Sequence, residues 1–346
     1  MANLASRYVA LIKETNYGAT PGSPTYIYGE VDEESMSQQF ELLDREDITR
    51  YGKRKSVVGT YMASGDVSCA LQGDEFCGRL IGAVFGTNSH SGSGAPYTNT
   101  LSETSDEANY PSFTVAVGRD GREHRYLGQV VDELSIGANI NEYVMLSASF
   151  TGAGEDNTGA HATGGFALAA PSASDLHSND AFYFKDVTVN FEKKLSGTNY
   201  SEFVKSVEIS FSLNRDTDNS YALASQTCTR APPPTLREIS GTIEFNRTLH
   251  TNTADLRDAP FYDELSDGLL VDGTGTNPAL SLKFVGATNE SLVLNIYKLQ
   301  YEAPETNVSG RDTQTLSMSF YALFDETEGA MADAVWTTTD ATNVLA

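Results

Sequence analysis

Val144-Met-Leu-Ser-Ala-Ser-Phe-Thr-Gly-Ala-Gly-Glu155 opens with apolar and small polar residues in alternation, the pattern of a strand with one buried face. Nearly the same phrase returns as Gln314-Thr-Leu-Ser-Met-Ser-Phe-Tyr-Ala-Leu-Phe-Asp-Glu326. The segments upstream match in the same order. Pro111-Ser-Phe-Thr-Val-Ala-Val117 is echoed by Pro278-Ala-Leu-Ser-Leu-Lys-Phe284, and Gly65-Asp-Val-Ser-Cys-Ala-Leu71 by Gly241-Thr-Ile-Glu-Phe245. An acidic, helix-like stretch follows each member of the last pair, over 73–86 and 253–268. Each half therefore reads strand, helix, loop, strand, strand, strand, which predicts a tandem duplication of one module. Two equivalent modules in one chain present two similar surfaces, and that favours assembly over catalysis.

A length of 346 residues accommodates two domains of ordinary size. From Thr151 to Ser178 the chain is rich in Gly, Ala and Ser and carries almost no large side chain before Phe166. This composition predicts a first module with an N-terminal arm over 1–165, a linker over 166–180, and a second module with a C-terminal extension over 181–346. The formal net charge is -24 and the pI about 4.4. Acid is spread evenly, with 22 acidic against 11 basic residues in 1–170 and 25 against 12 in the remainder. A field of this sign repels phosphate, which argues against tight binding of DNA or RNA and keeps concentrated protein dissolved. No apolar run reaches the ~18 residues of a membrane span. The first residues, Met1 to Glu14, hold an apolar stretch too short and too soon broken by charge for a secretory signal, so folding in a cytoplasm is the simplest expectation. Cys69, Cys77 and Cys228 lack Cys-x-x-Cys spacing; Cys69 and Cys77 sit at apolar-phase positions and read as buried thiols.

Period-two alternation marks further strands at Phe182–Phe191, Val204–Leu213 and Leu292–Leu299. In the second of these Val207, Ile209, Phe211 and Leu213 share one face, and Glu208, Ser210 and Ser212 the other. One side is buried and the other wet or in contact with a partner. Gly118-Arg-Asp-Gly121 and Gly286-Ala-Thr-Asn289 are hairpin turns. In the first helical stretch Phe76, Cys77, Leu80, Ile81, Val84 and Phe85 recur at helical spacing behind Asp74 and Glu75, whose charges suit a helix N-terminus. The second, with Leu256, Phe261, Leu265 and Leu269, is interrupted by Pro260 and is expected to break or to start after it. The expected fold is mainly β, with two tandem sandwich modules, each carrying a flanking α-helix and a long loop.

Catalytic chemistry is hard to find. His90, His124, His161, His177 and His250 are scattered, without metal-ligand spacing, and read as solvated surface residues. No nucleophile elbow, phosphate-binding Gly-rich loop or His-Glu-x-x-His occurs. Asp216-Thr-Asp-Asn-Ser-Tyr221 starts like a calcium loop but has Tyr221 in place of the turn glycine, so it reads as a turn. No cofactor or metal is implied. One feature runs against the acidity: Arg50, Lys53, Arg54 and Lys55, with Tyr51, lie within six positions in the segment between strands ending near Leu43 and starting at Gly65. Two readings stand, a solvated loop tip or a cationic finger that meets an acidic surface on a neighbouring copy. The matching segment of the second half, Arg215 to Glu238, is also long and carries Arg230, Pro232-Pro-Pro234 and Arg237. Loops of such length in compact domains usually have a task.

Arg7-Tyr-Val-Ala-Leu-Ile-Lys-Glu-Thr-Asn-Tyr-Gly-Ala-Thr-Pro21 resembles the start of tail tube proteins from long-tailed, non-contractile viruses of bacteria and archaea, which often open with a Lys-Glu-Thr-x-Tyr-Gly-Thr-Pro phrase. Phe113 to Phe150, with Tyr126-Leu-Gly-Gln-Val-Val-Asp-Glu-Leu-Ser-Ile136 at its centre, is similar to that family's core strand pair. The resemblance implies a β-sandwich or partial barrel with a flanking helix and a long loop. It also implies hexameric rings for one module and trimeric rings of pseudo-sixfold symmetry for two fused modules. The implied function is structural: stacked rings forming the virion tail tube through which viral DNA passes without specific binding. Implied partners are further copies of the chain, the tape measure, the tail terminator and the baseplate or tip. Arg50, Tyr51, Lys53, Arg54, Lys55, Arg230 and Arg237 are then candidates for contacts between rings. The sequence departs from the family in the helix split by Pro260 and in the insertion Glu302 to Arg311, which has no counterpart after Ile136. A different reading is a β-sandwich adhesion or carbohydrate-binding module of a virion or cell surface, to which the 17 tyrosines would supply stacking platforms.

Overall fold

The computed structural model describes residues 7–46, 48–49, 51–119, 121–156, 166–191, 204–246, 270–273, 278–286, 289–302, 315–341 and 343–345. The first half holds β1 (Tyr8–Lys13), β2 (Ile27–Gly29), β3 (Val31–Glu34), β4 (Ser37–Arg45), β5 (Lys55–Ala70) and α1 (Glu75–Phe85). It continues with β6 (Gly86–Ser91), β7 (Tyr97–Glu103), β8 (Phe113–Arg119), β9 (Arg122–Asn139), β10 (Met145–Gly152) and β11 (Gly154–Glu155). The second half holds β12 (Val187–Phe191), β13 (Val204–Ser212), β14 (Glu238–Asn246), β15 (Leu270–Asp272) and β16 (Leu280–Val285). It ends with β17 (Ser291–Ile296), β18 (Lys298–Tyr301), β19 (Thr315–Ala322) and β20 (Ala332–Thr338). The protein is mainly β, with two sheets and, among the described residues, one α-helix. The second helical stretch expected, 253–268, and most of the insertion at 302–311 lie outside the described residues.

The larger sheet runs in the order β15-β18-β19-β14-β13-β9-β10-β5-β3, and the smaller one β12-β16-β17-β20-β7-β6. Neither closes into a barrel. The long strand β9 serves two layers: from Arg122 to Gln129 it pairs with β8, and from Val130 to Gly137 with β10. Register shifts at Phe113/Val115 and Ser149/Phe150 mark where it turns the corner. The layer β2-β1-β8 thereby folds back over the larger sheet, where the Tyr126 hydroxyl donates to the Met36 carbonyl at 3.1 Å. Phe113, Val115, Leu134, Ile136 and Phe150 fill the space between the layers and are buried.

Strand order and register recur between the halves. β5 meets β10 with Gly65 opposite Phe150 and Val67 opposite Ala148; β14 meets β19 with Gly241 opposite Phe320 and Ile243 opposite Met318. In the other layer β1-β8-β9 has the same order as β12-β16-β17, with Val9 opposite Val117 and Val187 opposite Phe284. The two glycines are needed for close approach: a Cβ at Gly65 would stand 2.6 Å from the Met36 Cα, and one at Gly241 2.5 Å from the Glu208 carbonyl oxygen.

Helix α1 begins where Asp74 accepts the Cys77 N–H at 2.8 Å and ends at Gly86, whose φ of 89° suits a glycine. It is buried on nearly every side because both sheets cover it. Gly78 and Gly82 let Trp336 of β20 and the C-terminal Val344 and Leu345 come close; a Cβ at Gly78 would lie 2.8 Å from the Trp336 Nε1. Part of the segment between the halves is tied down. The Phe166 carbonyl accepts from Glu123 N at 3.2 Å, the Ala169 N–H donates to the Tyr8 hydroxyl at 2.9 Å, and His177 meets Glu290 at 3.0 Å.

Candidate assembly surfaces

Alternation along the strands gives the larger sheet one apolar face, turned to the core, and one polar face. On the polar face, cross-strand partners form an unbroken row over eight strands: Glu33, Ser68, Ser147, Ser135, Ser210, Ser240, Tyr321 and Gln300. The adjacent row reads Asp66, Ser149, Glu133, Ser212 and Glu238. Ser210 donates to Glu133 at 2.6 Å, and Lys205 pairs with Glu244 at 3.1 Å. The result is a broad, negative sheet of hydroxyls and carboxylates.

The edges of this sheet are unequal. Strand β13 is shared: it pairs with β14 on one side and on the other with β9, Ser206 opposite Asn139 through Ser212 opposite Glu133. The pair β3 and β4 sits on β5 in the register that β13 has on β14. Val31 faces Cys69 as Val204 faces Phe245, Glu34 faces Val67 as Val207 faces Ile243, and Ser37 faces Ser64 as Ser210 faces Ser240. Among the described residues no strand pairs with the other side of β3 and β4. Between the two strands the Met36 N–H donates to Glu34 and its carbonyl accepts from Arg119 and Tyr126; on either side of Met36 this outer backbone has, among the described residues, no partner strand and is a template for another one.

Beyond the sheet, β4 and the first part of β5 continue as a two-stranded ribbon from Gln39 opposite Met62 to Arg45 opposite Lys55. The segment expected as a loop between Leu43 and Gly65 is thus mostly hairpin. Apolar residues at Val57, Val58 and Tyr61, facing Leu43, Leu42 and Phe40, carry the pairing outward. Phe40, Leu42, Leu43, Val57 and Val58 are all between 42% and 60% exposed. The ribbon is braced at its base, where the Tyr61 N–H donates to the Gln226 carbonyl and Gln226 Nε2 to the Val58 carbonyl, both at 2.8 Å.

The seven residues picked out from sequence fall in three settings. Tyr51, Lys53, Arg54 and Lys55 are at the exposed hairpin tip, where Lys53 pairs with Asp44 and the Arg54 N–H donates to the Arg45 carbonyl at 3.0 Å; Arg50 lies outside the described residues. Arg230 is exposed and donates to the Asn219 carbonyl at 3.3 Å. Arg237 turns inward, donating to the Thr104 carbonyl with its guanidinium 5.4 Å from the Tyr110 ring centre. Arg215, which the sequence did not single out, is buried on the same ring at 5.1 Å and donates to the carbonyls of Val131 and Pro232, each at 2.8 Å. Burial pulls its pKa down to about 10. A cation followed after some twenty residues by a Pro-rich turn and a second cation was the available signal for this clasp.

At the opposite end of β5, the turn between β9 and β10 presents Ile140 and Tyr143, and the start of the second half presents Tyr183 and Phe184. The Tyr143 and Tyr183 backbones bridge, and the Phe184 N–H donates to the Glu142 carbonyl at 3.0 Å. His177 departs from the expected solvated histidine: its side chain is only 6% exposed and sits on the buried Glu290. His90 hydrogen-bonds Asn99 and His124 meets Glu155, while His161 and His250 lie outside the described residues. Cys69, Cys77 and Cys228 are buried free thiols. Among the described residues no group of His, Cys, Asp or Glu is arranged to hold a metal, and no helix is long and apolar enough to cross a membrane. A search of curated proteins gave no match. The family model described as phage tail tube protein matches residues 5–322.

Proposed function

The chain belongs to the phage tail tube protein family, and from that membership we propose that it closes into trimeric rings of pseudo-sixfold symmetry, stacked into the conduit for viral DNA. The family is structural and argues against an enzyme. One observation carries the ring: the β9–β13 junction joins the two halves head to tail, and β3–β4 offers the next copy an edge in the same register as β13. In this reading the halves are duplicated modules, 1–165 and 181–346 joined by 166–180, and the internal junction is the template for the contact between copies. A head-to-tail contact whose rotation closes makes a ring, and closure removes the open edge. Recurrence of strand order and register between the halves supports the duplication.

The polar face of the larger sheet then lines the bore. Its carboxylates repel phosphate over a Debye length of about 8 Å at physiological salt, so DNA slides along a hydrated wall without binding it. The hairpin with Tyr51, Lys53, Arg54 and Lys55, and the second loop with Arg230, reach the next ring, while Arg237 holds that loop on its own copy. Tape measure, tail terminator and baseplate or tip proteins meet the bore and the two ends of the tube, and the assembled protein resides in the virion tail. Sedimentation and negative-stain imaging of the purified chain test the reading. Rings of three copies, or tubes built from them, are expected; a species that stays monomeric at every concentration and alongside tail-tip components overturns it.

A further inference from the structure

Two apolar surfaces lie at opposite ends of β5, and among the described residues each stays exposed. The β4–β5 ribbon exposes apolar side chains on both faces, and beyond its brace at Gln226 it is a two-stranded ribbon, marginally stable in water. The second surface, Ile140, Tyr143, Tyr183 and Phe184, has exposures from 38% to 59%. It is preorganised: the Val144 N–H donates to the Phe182 carbonyl at 2.9 Å, the Phe182 N–H to the Leu71 carbonyl at 2.8 Å, and the Tyr183 and Phe184 rings meet edge to face at 5.8 Å. Residues of both halves build it, so it exists only where the halves join.

The two surfaces cannot meet within one copy. Strand β5 runs 16 residues from Lys55 at the ribbon's tip to Ala70, which pairs with Met145 beside the aromatic patch, a span of roughly 50 Å at about 3.3 Å per residue. Complementary patches at opposite poles of a single chain generate a contact that repeats from copy to copy. Charge agrees: Arg54 and Lys55 stand at the tip beside the Lys53–Asp44 pair, and Glu142, Asp180 and Asp186 outnumber Lys185 around the patch.

We propose that the β4–β5 ribbon of one copy seats on Ile140, Tyr143, Tyr183 and Phe184 of a second copy of this chain in the adjoining ring. The proposal rests on the stacked-ring reading and adds the receiving surface to it. Side chains at the seat are exposed, so Tyr143→Ser with Phe184→Ser leaves the core untouched. Rings of this variant are expected to sediment like wild type, while the protein concentration needed for tubes rises at least tenfold. Tubes of normal length at the normal concentration overturn the seat without touching the ring.

A second measurement identifies the occupant. With Ile48→Cys at the tip and Tyr143→Cys at the seat, a short bis-maleimide is expected to link copies into a ladder of covalent oligomers, and neither single variant does so. Absence of the ladder from assembled tubes, or links confined to copies of one ring, would assign the seat to another tail protein or to a ring neighbour and overturn the proposal. If wild-type copies fail to form rings, the ring reading falls, and the cross-link in concentrated solution still decides whether tip and seat meet.

Discussion

Gly241 shows how little slack the paired strands allow. A methyl group there meets the Glu208 carbonyl and the Phe320 ring, both at 2.5 Å, so β13 and β14 must part. Gly241→Ala is expected to cost about 2–3 kcal/mol, the scale of overpacking a tight interior. Gly137→Ala, whose new atom has no neighbour within 4 Å, should change stability by no more than about 0.5 kcal/mol. Urea unfolding of the two variants side by side checks the contrast. Asp74 offers a second test. Burial raises its pKa to about 6 from 3.8, against the Cys77 N–H and the charge of His177, which favour the ion. The folded chain therefore binds this proton more tightly than the unfolded chain. The stabilisation is complete below about pH 3.8 and is lost as the pH rises through about 6, an effect on the order of 3 kcal/mol. Asp74→Asn keeps an oxygen acceptor for the cap and carries no charge. Its melting temperature should exceed that of wild type at pH 8, with the advantage shrinking toward pH 4; an equal offset at both pH values would refute the burial cost. Neither the clash at Gly241 nor the burial cost at Asp74 follows from sequence alone, because both depend on the opposing backbone and the covering sheet.

Among elements, α1 was fully legible, since cap, apolar stripe and terminal glycine all lie within thirteen residues, Asp74 to Gly86. The strands of the larger sheet were legible by alternation. The bend in β9 was not: within Tyr126 to Ile136 the switch of partner at Val130 depends on β8 and β10 arriving from elsewhere. The ribbon was half legible. Its cations mark the tip, but the apolar residues of its stem have no core to face and give no clear strand signal. Removing Tyr51 to Val58 shortens the stem and spares the β3–β4 edge from Val31 to Gln39. Rings are expected to persist while long tubes disappear in electron micrographs, and normal tubes from the shortened chain would refute the ribbon's role between rings.

For the whole molecule the governing quantity is the net charge of -24. In the proposed tube, like-charged copies repel one another and meet through short-ranged apolar and backbone contacts, so tube growth is expected to accelerate as ionic strength rises from about 0.05 to 0.5 M and the screening length falls from roughly 14 to 4 Å. Light scattering during assembly reads this directly; slower growth in salt would mean that ion pairs at the ribbon tip dominate. The matched phrases of the sequence fall on strands of like order and register, whereas the sharing of β13 has no signal in the sequence, because no local pattern states which strand an edge will choose. That shared strand has a mechanical corollary. In the proposed closed trimer, three of the six joints around the wall would be reinforced by a continuous polypeptide and three held by strand pairing alone. A conduit loaded from inside should tear lengthwise along three seams and leave intact staves, each one chain wide.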